Sequence, residues 1–237
     1  MQIEAPRTQI PDGQDVWVFG YGSLVWKVDF TYERRVVGYV EGFHRRFWQG
    51  SHDHRGTSTS PGRVVTLVAS NEYREKFGNV SEGDRCWGVA YLIHRDTARD
   101  VFGHLDHREK NGYSSEVVDV FGSDGSTLCS AAVYIATTEN PAFLGPASTA
   151  DIAHTLVHSV GPSGRNIDYF INLCHAVGII SANHADEHLV ELEAAVRRLA
   201  GVDGVVIHDF EESARMDLQC LVDAGVLGLL SPPVPEQ

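Results

Sequence analysis

Cysteine is scarce and scattered in this chain: Cys86, Cys129, Cys174 and Cys220 stand far apart and form no C-x-x-C pair. That spacing argues against a zinc knuckle or a dense disulfide frame, and it suits reduced thiols filling small apolar sites in a cytoplasm. No uninterrupted apolar run is long enough to cross a bilayer, and the opening "MQIEAPRTQIPDG" lacks the basic and apolar stretches of a secretory signal. Positive charge is short as well: 19 Lys and Arg face 32 Asp and Glu, a formal net charge of -13. Such a chain repels phosphate backbones and anionic lipid, which argues against nucleic acid and membrane as partners. Internal repeats and low-complexity blocks are missing too, so a solenoid or array is excluded. What is present, 43% hydrophobic residues over 237 positions, is ample for a buried core. The expectation is a soluble cytoplasmic protein, its oligomeric state left open.

Strand candidates, rich in β-branched and aromatic residues, are Val16 to Gly20, Val36 to Phe47, Arg63 to Ala69, Arg85 to Ile93, Val117 to Phe121 and Leu128 to Ala136. They are enough to close a small barrel, with Gly56 to Gly62 as a surface loop. Between the fourth and fifth, Asp96 to Glu109 carries Val101, Leu105 and Arg108 at helical spacing. Past "TTENPAFLGPAST" the pattern turns helical: Asp151 to Ser159, Asn166 to Val177 and His184 to Leu199. Ser148 with Asp151 caps the first of these, and Gly201 is placed to end the last. Strands first and helices later predict an α+β fold with helices packed on the barrel. The tail from Val205 is expected to add one strand and one helix.

The stretch "VWVFGYGSL", residues 16 to 24, runs a strand into two glycines. A strand ending this way can turn successive backbone N–H groups outward, a nest for an anion or a developing oxyanion; it can equally be a tight turn and nothing more. The dinucleotide fingerprint fails, since Val25 stands where a third small residue is needed and no βαβ unit follows. The nucleophile elbow fails because Ser23 is not in G-x-S-x-G.

In "HLDHREKNGY", residues 104 to 113, Glu109 ends the predicted helix, where the negative pole of the dipole raises a carboxyl pKa toward that of a useful base. Arg108 and Lys110 oppose that shift, and an exposed carboxylate in a charge run is the plain alternative. Arg34, Arg35, Arg45, Arg46, Arg55 and Arg63 form a basic island with His44, His52 and His54; it reads either as a receiver for an anionic small molecule or as a solvated face. His154 with His158 and His184 with His188 have metal-compatible i, i+4 spacing but no third ligand at informative spacing, and "HADEH" is not H-E-x-x-H, so no metal is assigned.

From about Val16 to Gly201 the chain resembles the ChaC family, the glutathione-specific γ-glutamylcyclotransferases. The stretches that carry the likeness are "VWVFGYGSLVWKVDF", "RRFWQGSHDHRG", "PGRVVTLV", "WGVAYLI", "REKNGY" and "GPSGRNIDYF". "GYGSL" followed downstream by "RE" and "GY" is the specific pair. The resemblance sets residues 16–201 as the domain, with 1–15 and 202–237 as extensions that pack on it or trail from it.

The resemblance implies a mixed barrel with surrounding helices and conversion of glutathione to 5-oxoproline and cysteinylglycine with no cofactor. By the same likeness Val18, Phe19, Gly20, Tyr21, Gly22, Ser23 and Leu24 bind the γ-glutamyl part and Glu109 shuttles the proton. Tyr21 and Tyr113 pack beside the glutamyl chain or fill the core, and Arg55, or another arginine of the island, is the candidate partner of the glycine carboxylate. Small residues at Gly20 and Gly22 would then let substrate lie on the backbone. Within the same chemistry the alternative substrates are γ-glutamyl-amino acids and γ-glutamylamines; outside it, the alternative is a non-catalytic binding protein of the same fold.

Overall fold

A computed structural model describes residues 13–78, 84–108, 113–181 and 184–224. In chain order the strands are β1 (Val16–Gly20), β2 (Arg34–Glu41), β3 (Phe43–Ser51), β4 (Gly62–Ala69), β5 (Arg85–Ile93), β6 (Ser114–Phe121), β7 (Thr127–Ile135), β8 (Val160–Gly161) and β9 (Gly164–Arg165). The helices are α1 (Ser70–Phe77), α2 (Arg95–Arg108), α3 (Thr149–His158), α4 (Asn166–Ile180), α5 (Glu187–Asp203) and α6 (Glu212–Ala224), with one 3-10 turn at Ser23–Val25. Five strands close a barrel in the order β1-β5-β2-β6-β7. The pairing of β1 with β7 is parallel and the others are antiparallel, so the barrel is mixed as expected. No helix among the described residues is long and apolar enough to cross a membrane.

The expected long strand from Val36 to Phe47 is two strands. Gly42, at φ +81°, breaks it, and the second half leaves the barrel to pair with β4 in a separate ribbon. An apolar run long enough for both halves hides the break, and only the left-handed backbone at one glycine reveals it. In α5 the helix runs through the expected stop at Gly201 and ends at Gly204, which adopts the left-handed conformation at φ 67° and donates its N–H to Ala200 O. A glycine inside a helix costs only about 1 kcal/mol, so position alone did not select Gly201. The predicted cap at Ser148 is present, its hydroxyl accepting from Asp151 N. Downstream of Val205 the described residues form α6 but no strand.

Helix α4 is apolar on most of its circumference because it runs through the middle of the molecule. Ile167, Phe170, Leu173 and Ala176 are fully enclosed, and the helix touches α3, α5, α6 and the barrel. Two apolar clusters meet along it. One joins β3, β4, α3 and α5 around Phe47, Leu156 and Leu192; the other gathers Tyr91, Phe102, Leu105 and Leu218 between the barrel, α2 and α6. The four cysteines are free thiols; Cys86 is buried and its pKa pushed up to about 11 by desolvation, whereas Cys220 is exposed and departs from the expected apolar filling.

His188 accepts a hydrogen bond at Nε2 from Phe47 N, at 3.2 Å, so it must be neutral there. Burial, and then the positive charges of Arg46 and Arg45, push its pKa down to about 3. The unfolded chain takes up this proton first as pH falls, so the stability His188 provides at neutral pH is lost progressively from about pH 6.5 toward 3, at about 1.4 kcal/mol per pH unit. His188→Gln keeps an acceptor and removes the titration. Between pH 7 and pH 5 the wild type should lose about 2 kcal/mol more stability than the variant in urea denaturation; parallel losses would contradict this account.

Candidate active site

Strand β1 carries the chain from the barrel wall to its rim, where Gly20 is the last paired residue, opposite Val89. There the chain doubles back in the 3-10 turn, with Val25 N bonded to Gly22 O at 3.0 Å and Lys27 N to Ser23 O at 2.8 Å. The doubling back explains Gly20: a Cβ there would stand 2.5 Å from Leu24 Cβ. The close approach of the protein to itself is therefore one reason for glycine at this position, a reason that the sequence alone did not display. At Gly22 a Cβ would point at the Tyr169 hydroxyl and Val65, each 3.3 Å away. The Gly22 N–H has no hydrogen-bond partner among the described residues.

Around this turn lies a cavity of about 340 Å³, within the range of roughly 300–1,000 Å³ usual for small-molecule sites. Phe19, Gly20, Tyr21, Gly22, Ser23, Leu24, Tyr113 and Arg55 all line it. Val18 does not; alternation along β1 turns its side chain into the core, where it is fully buried. Glu109 lies outside the described residues, and in sequence it falls between Leu105 and Tyr113, two residues of the cavity wall. A more open hollow of about 450 Å³ between α4 and α5, lined by Cys174, Ser181, His184, Asp186 and Glu193 among others, contains none of the residues singled out from sequence for substrate.

Sequence reasoning missed Tyr169 as a site residue, although it lies within "GPSGRNIDYF". Its ring faces the Arg55 guanidinium at 5.5 Å while its hydroxyl reaches the Gly22 side, so one tyrosine spans the distance between turn and arginine. Asn166 sets that placement. Its side chain accepts from Arg63 N at 2.7 Å and donates to Arg63 O at 2.8 Å, locking the first turn of α4 to the start of β4. Tyr21 is held by its hydroxyl, which donates to Tyr134 O at 2.7 Å, and Tyr134 in turn donates to Asp106 at 2.7 Å. His54, Ser51 and Ser163 complete the Arg55 side.

The basic island is not one face. Arg45 is buried, bonded to Asp186 at 3.0 Å and to Trp87 O; Arg63 donates to Phe47 O and Gly145 O; Arg46 lies over Tyr73 at 5.1 Å. Arg34 covers Trp17, and Arg35 binds Asp217. Consecutive arginines on alternating strand positions point to different surroundings, a separation no sequence cluster displays. Of the six, Arg55 alone lines the cavity, where it forms no ion pair among the described residues and burial lowers its pKa against the opposing pull of Tyr169 and Asp168. A half-buried cation without a counter-ion is a place for an anion. The histidine pairs are occupied otherwise: His158 pairs with Asp203 at 3.2 Å and His184 stacks on Trp87. Among the described residues no group of three His, Cys, Asp or Glu could hold a metal.

A mixed barrel carries at its rim a glycine turn that faces a half-buried arginine across an aromatic cavity of small-molecule size. A family model described as ChaC-like protein matches residues 16–199. The chain belongs to the ChaC-like family. It is 40% identical over 196 residues to a protein of Danio rerio named glutathione-specific gamma-glutamylcyclotransferase 1, covering 81% of this chain and 93% of that one. A protein of Schizosaccharomyces pombe named glutathione-specific gamma-glutamylcyclotransferase is 37% identical over 199 residues, covering 81% and 97%. A crystal structure of the yeast gamma-glutamyl cyclotransferase specific to glutathione superposes with TM-score 0.70 at 31% identity, covering 78% of this chain and 96% of that one.

Replacing Asn166 by Ala should strand the Arg63 N–H and C=O in a buried site and lower stability by about 2–4 kcal/mol. Urea unfolding measures this, and a loss below about 0.5 kcal/mol would mean that the two bonds do not hold α4 to β4.

Proposed function

We propose that this protein is a glutathione-specific γ-glutamylcyclotransferase. The α-amine of the γ-glutamyl residue attacks its own γ-carbonyl carbon, a C–N bond forms to close the five-membered ring, and the bond to the cysteinyl nitrogen breaks. The proton lost by the attacking amine goes, by way of Glu109, to the departing cysteinyl amine, so 5-oxoproline and cysteinylglycine leave with no change of oxidation state. The nucleophile is tethered to its target, and correct folding of the glutamyl chain is worth an effective molarity of roughly 10⁵ M or more. The protein's tasks are to fold the substrate, hold its charges and carry one proton.

The observation that carries this reading is the pairing, in one cavity, of a turn whose Gly22 N–H has no partner among the described residues with an arginine that forms no ion pair among them. The peptide N–H groups of the turn bind the α-carboxylate or the oxyanion that develops on the γ-carbonyl, as fixed donors in a partly dry site. Arg55 takes the glycine carboxylate at the far end, and Tyr21, Tyr113 and Tyr169 wall the glutamyl chain between them. The names of the relatives support the substrate, and the free thiols suit the reducing cytoplasm, to which we assign the reaction. The acidic chain has no use for nucleic acid or anionic lipid as partner.

Purified protein should release 5-oxoproline from glutathione much faster than from γ-glutamyl-alanine; equal rates would remove the specificity, and no release from either would remove the function. Glu109→Gln should keep the fold, measured by circular dichroism and melting, and lower kcat by about 10²- to 10⁴-fold. Near-wild-type turnover would take Glu109 out of the reaction. Gly22→Val fills the cavity against Tyr169 and Val65, and it should raise KM for glutathione by at least about tenfold. Unchanged kinetics would leave that glycine a purely structural role.

A further inference from the structure

The stretch after the family match is built into the molecule. Arg165 donates to Val206 O at 2.8 Å, the Phe210 ring stacks on His175 at 5.7 Å, and α6 buries Leu218 and Leu221. At the centre of the contact Asp217 grips Arg35 with two bonds, of 2.6 and 2.5 Å. Arg35 needs that partner: its side chain is only 13% exposed, against 51% for Asp217.

Arg35 stands on β2 directly opposite Tyr91 of β5. Its guanidinium lies over Tyr32 at 5.7 Å, and Tyr32 and Phe30 pack edge-on against the Tyr91 ring at 5.2 and 5.7 Å. Tyr91 is fully buried, and its hydroxyl donates to Leu24 O at 2.6 Å. Leu24 belongs to the 3-10 turn and, through its Cβ, sets the approach to Gly20. The guanidinium is near enough to Tyr91 to work against the rise that burial imposes on the phenol pKa. Asp217, Arg35, Tyr91 and the Leu24 carbonyl thus form a physical line from the C-terminal helix to the cavity rim, with Arg35 and Tyr91 at its centre held by burial.

We propose that α6 clamps the glycine turn, with Asp217, Arg35 and Tyr91 acting as positioning residues that hold the turn in its substrate-binding shape. This rests on the reading of the turn as the site of the γ-glutamyl group. None of the three touches substrate; they act through the Leu24 carbonyl. Loss of the Asp217 carboxylate frees Arg35, loosens the packing on Tyr91 and lets the turn open, a change felt in binding more than in the chemical step.

The test compares Asp217→Asn, Tyr91→Phe and their combination in the full chain, with Met216→Ala, an exposed residue of the same helix, as control. Two readouts are taken: KM and kcat for 5-oxoproline release, and hydrogen exchange at the amides of Val25, Trp26 and Lys27, which close the turn. Asp217→Asn and Tyr91→Phe should each raise KM about fivefold with kcat little changed and speed exchange at those amides. The double variant should be no worse than Tyr91→Phe alone, and Met216→Ala should match wild type. Multiplying effects in the double variant, or wild-type exchange at the turn in Asp217→Asn, would overturn the clamp. If wild type releases no 5-oxoproline, the functional reading fails, while the exchange measurement still decides the clamp.

Discussion

The constraint on which the site depends is the reversal of the chain at the barrel rim, where Leu24 folds back over Gly20 until only a hydrogen fits between them. That contact ends β1, starts the 3-10 turn and brings peptide groups, rather than side chains, to the cavity. Neighbouring elements then fix the turn from two sides. Tyr91 holds the Leu24 carbonyl from within the barrel wall, and Tyr169 reaches the Gly22 side from the central helix. A barrel strand and a buried helix are among the least mobile parts of a domain, and the turn takes its rigidity from both.

A chain of net charge -13 that receives an anion must overcome its own field locally. In the function proposed here it does so with short-range devices: peptide N–H dipoles in the turn and one half-buried arginine without an acidic partner among the described residues. At physiological ionic strength the field of distant carboxylates is screened beyond about 8 Å, whereas a guanidinium packed on Tyr169 acts on a ligand in contact with it. The remaining arginines of the same stretch serve the fold instead. Arg45 and Arg63 satisfy buried carbonyls, and Arg35 joins the C-terminal helix to the barrel.

Much of this was legible in the sequence. The runs Val16–Gly20 and Arg85–Ile93 match their strands residue for residue, because β-branched and aromatic content is strongest where the barrel is most buried. The glycine-rich end of β1 pointed to the cavity, and eight of the nine residues proposed for substrate line it: Phe19, the five from Gly20 to Leu24, Tyr113 and Arg55, with Val18 left in the core. What stayed hidden was long-range. The split at Gly42 depends on the partner each half finds, and the dispersal of the arginines depends on where strands β2, β3 and β4 turn their faces. Tyr169 reads in sequence as one more apolar position of a buried helix, and Asp217 as a surface carboxylate, since neither carries a local sign of the residue it meets 114 to 182 positions away.

The central claim is that the cavity makes the substrate act on itself: the amine that opens the amide comes from glutathione, and water takes no part. Mass spectrometry of products formed in ¹⁸O-enriched water tests this most directly. The account predicts 5-oxoproline with no ¹⁸O, equimolar with cysteinylglycine, because the carbonyl oxygen is the one the substrate brought. Release of glutamate carrying ¹⁸O in its γ-carboxylate would contradict it and make the protein a hydrolase.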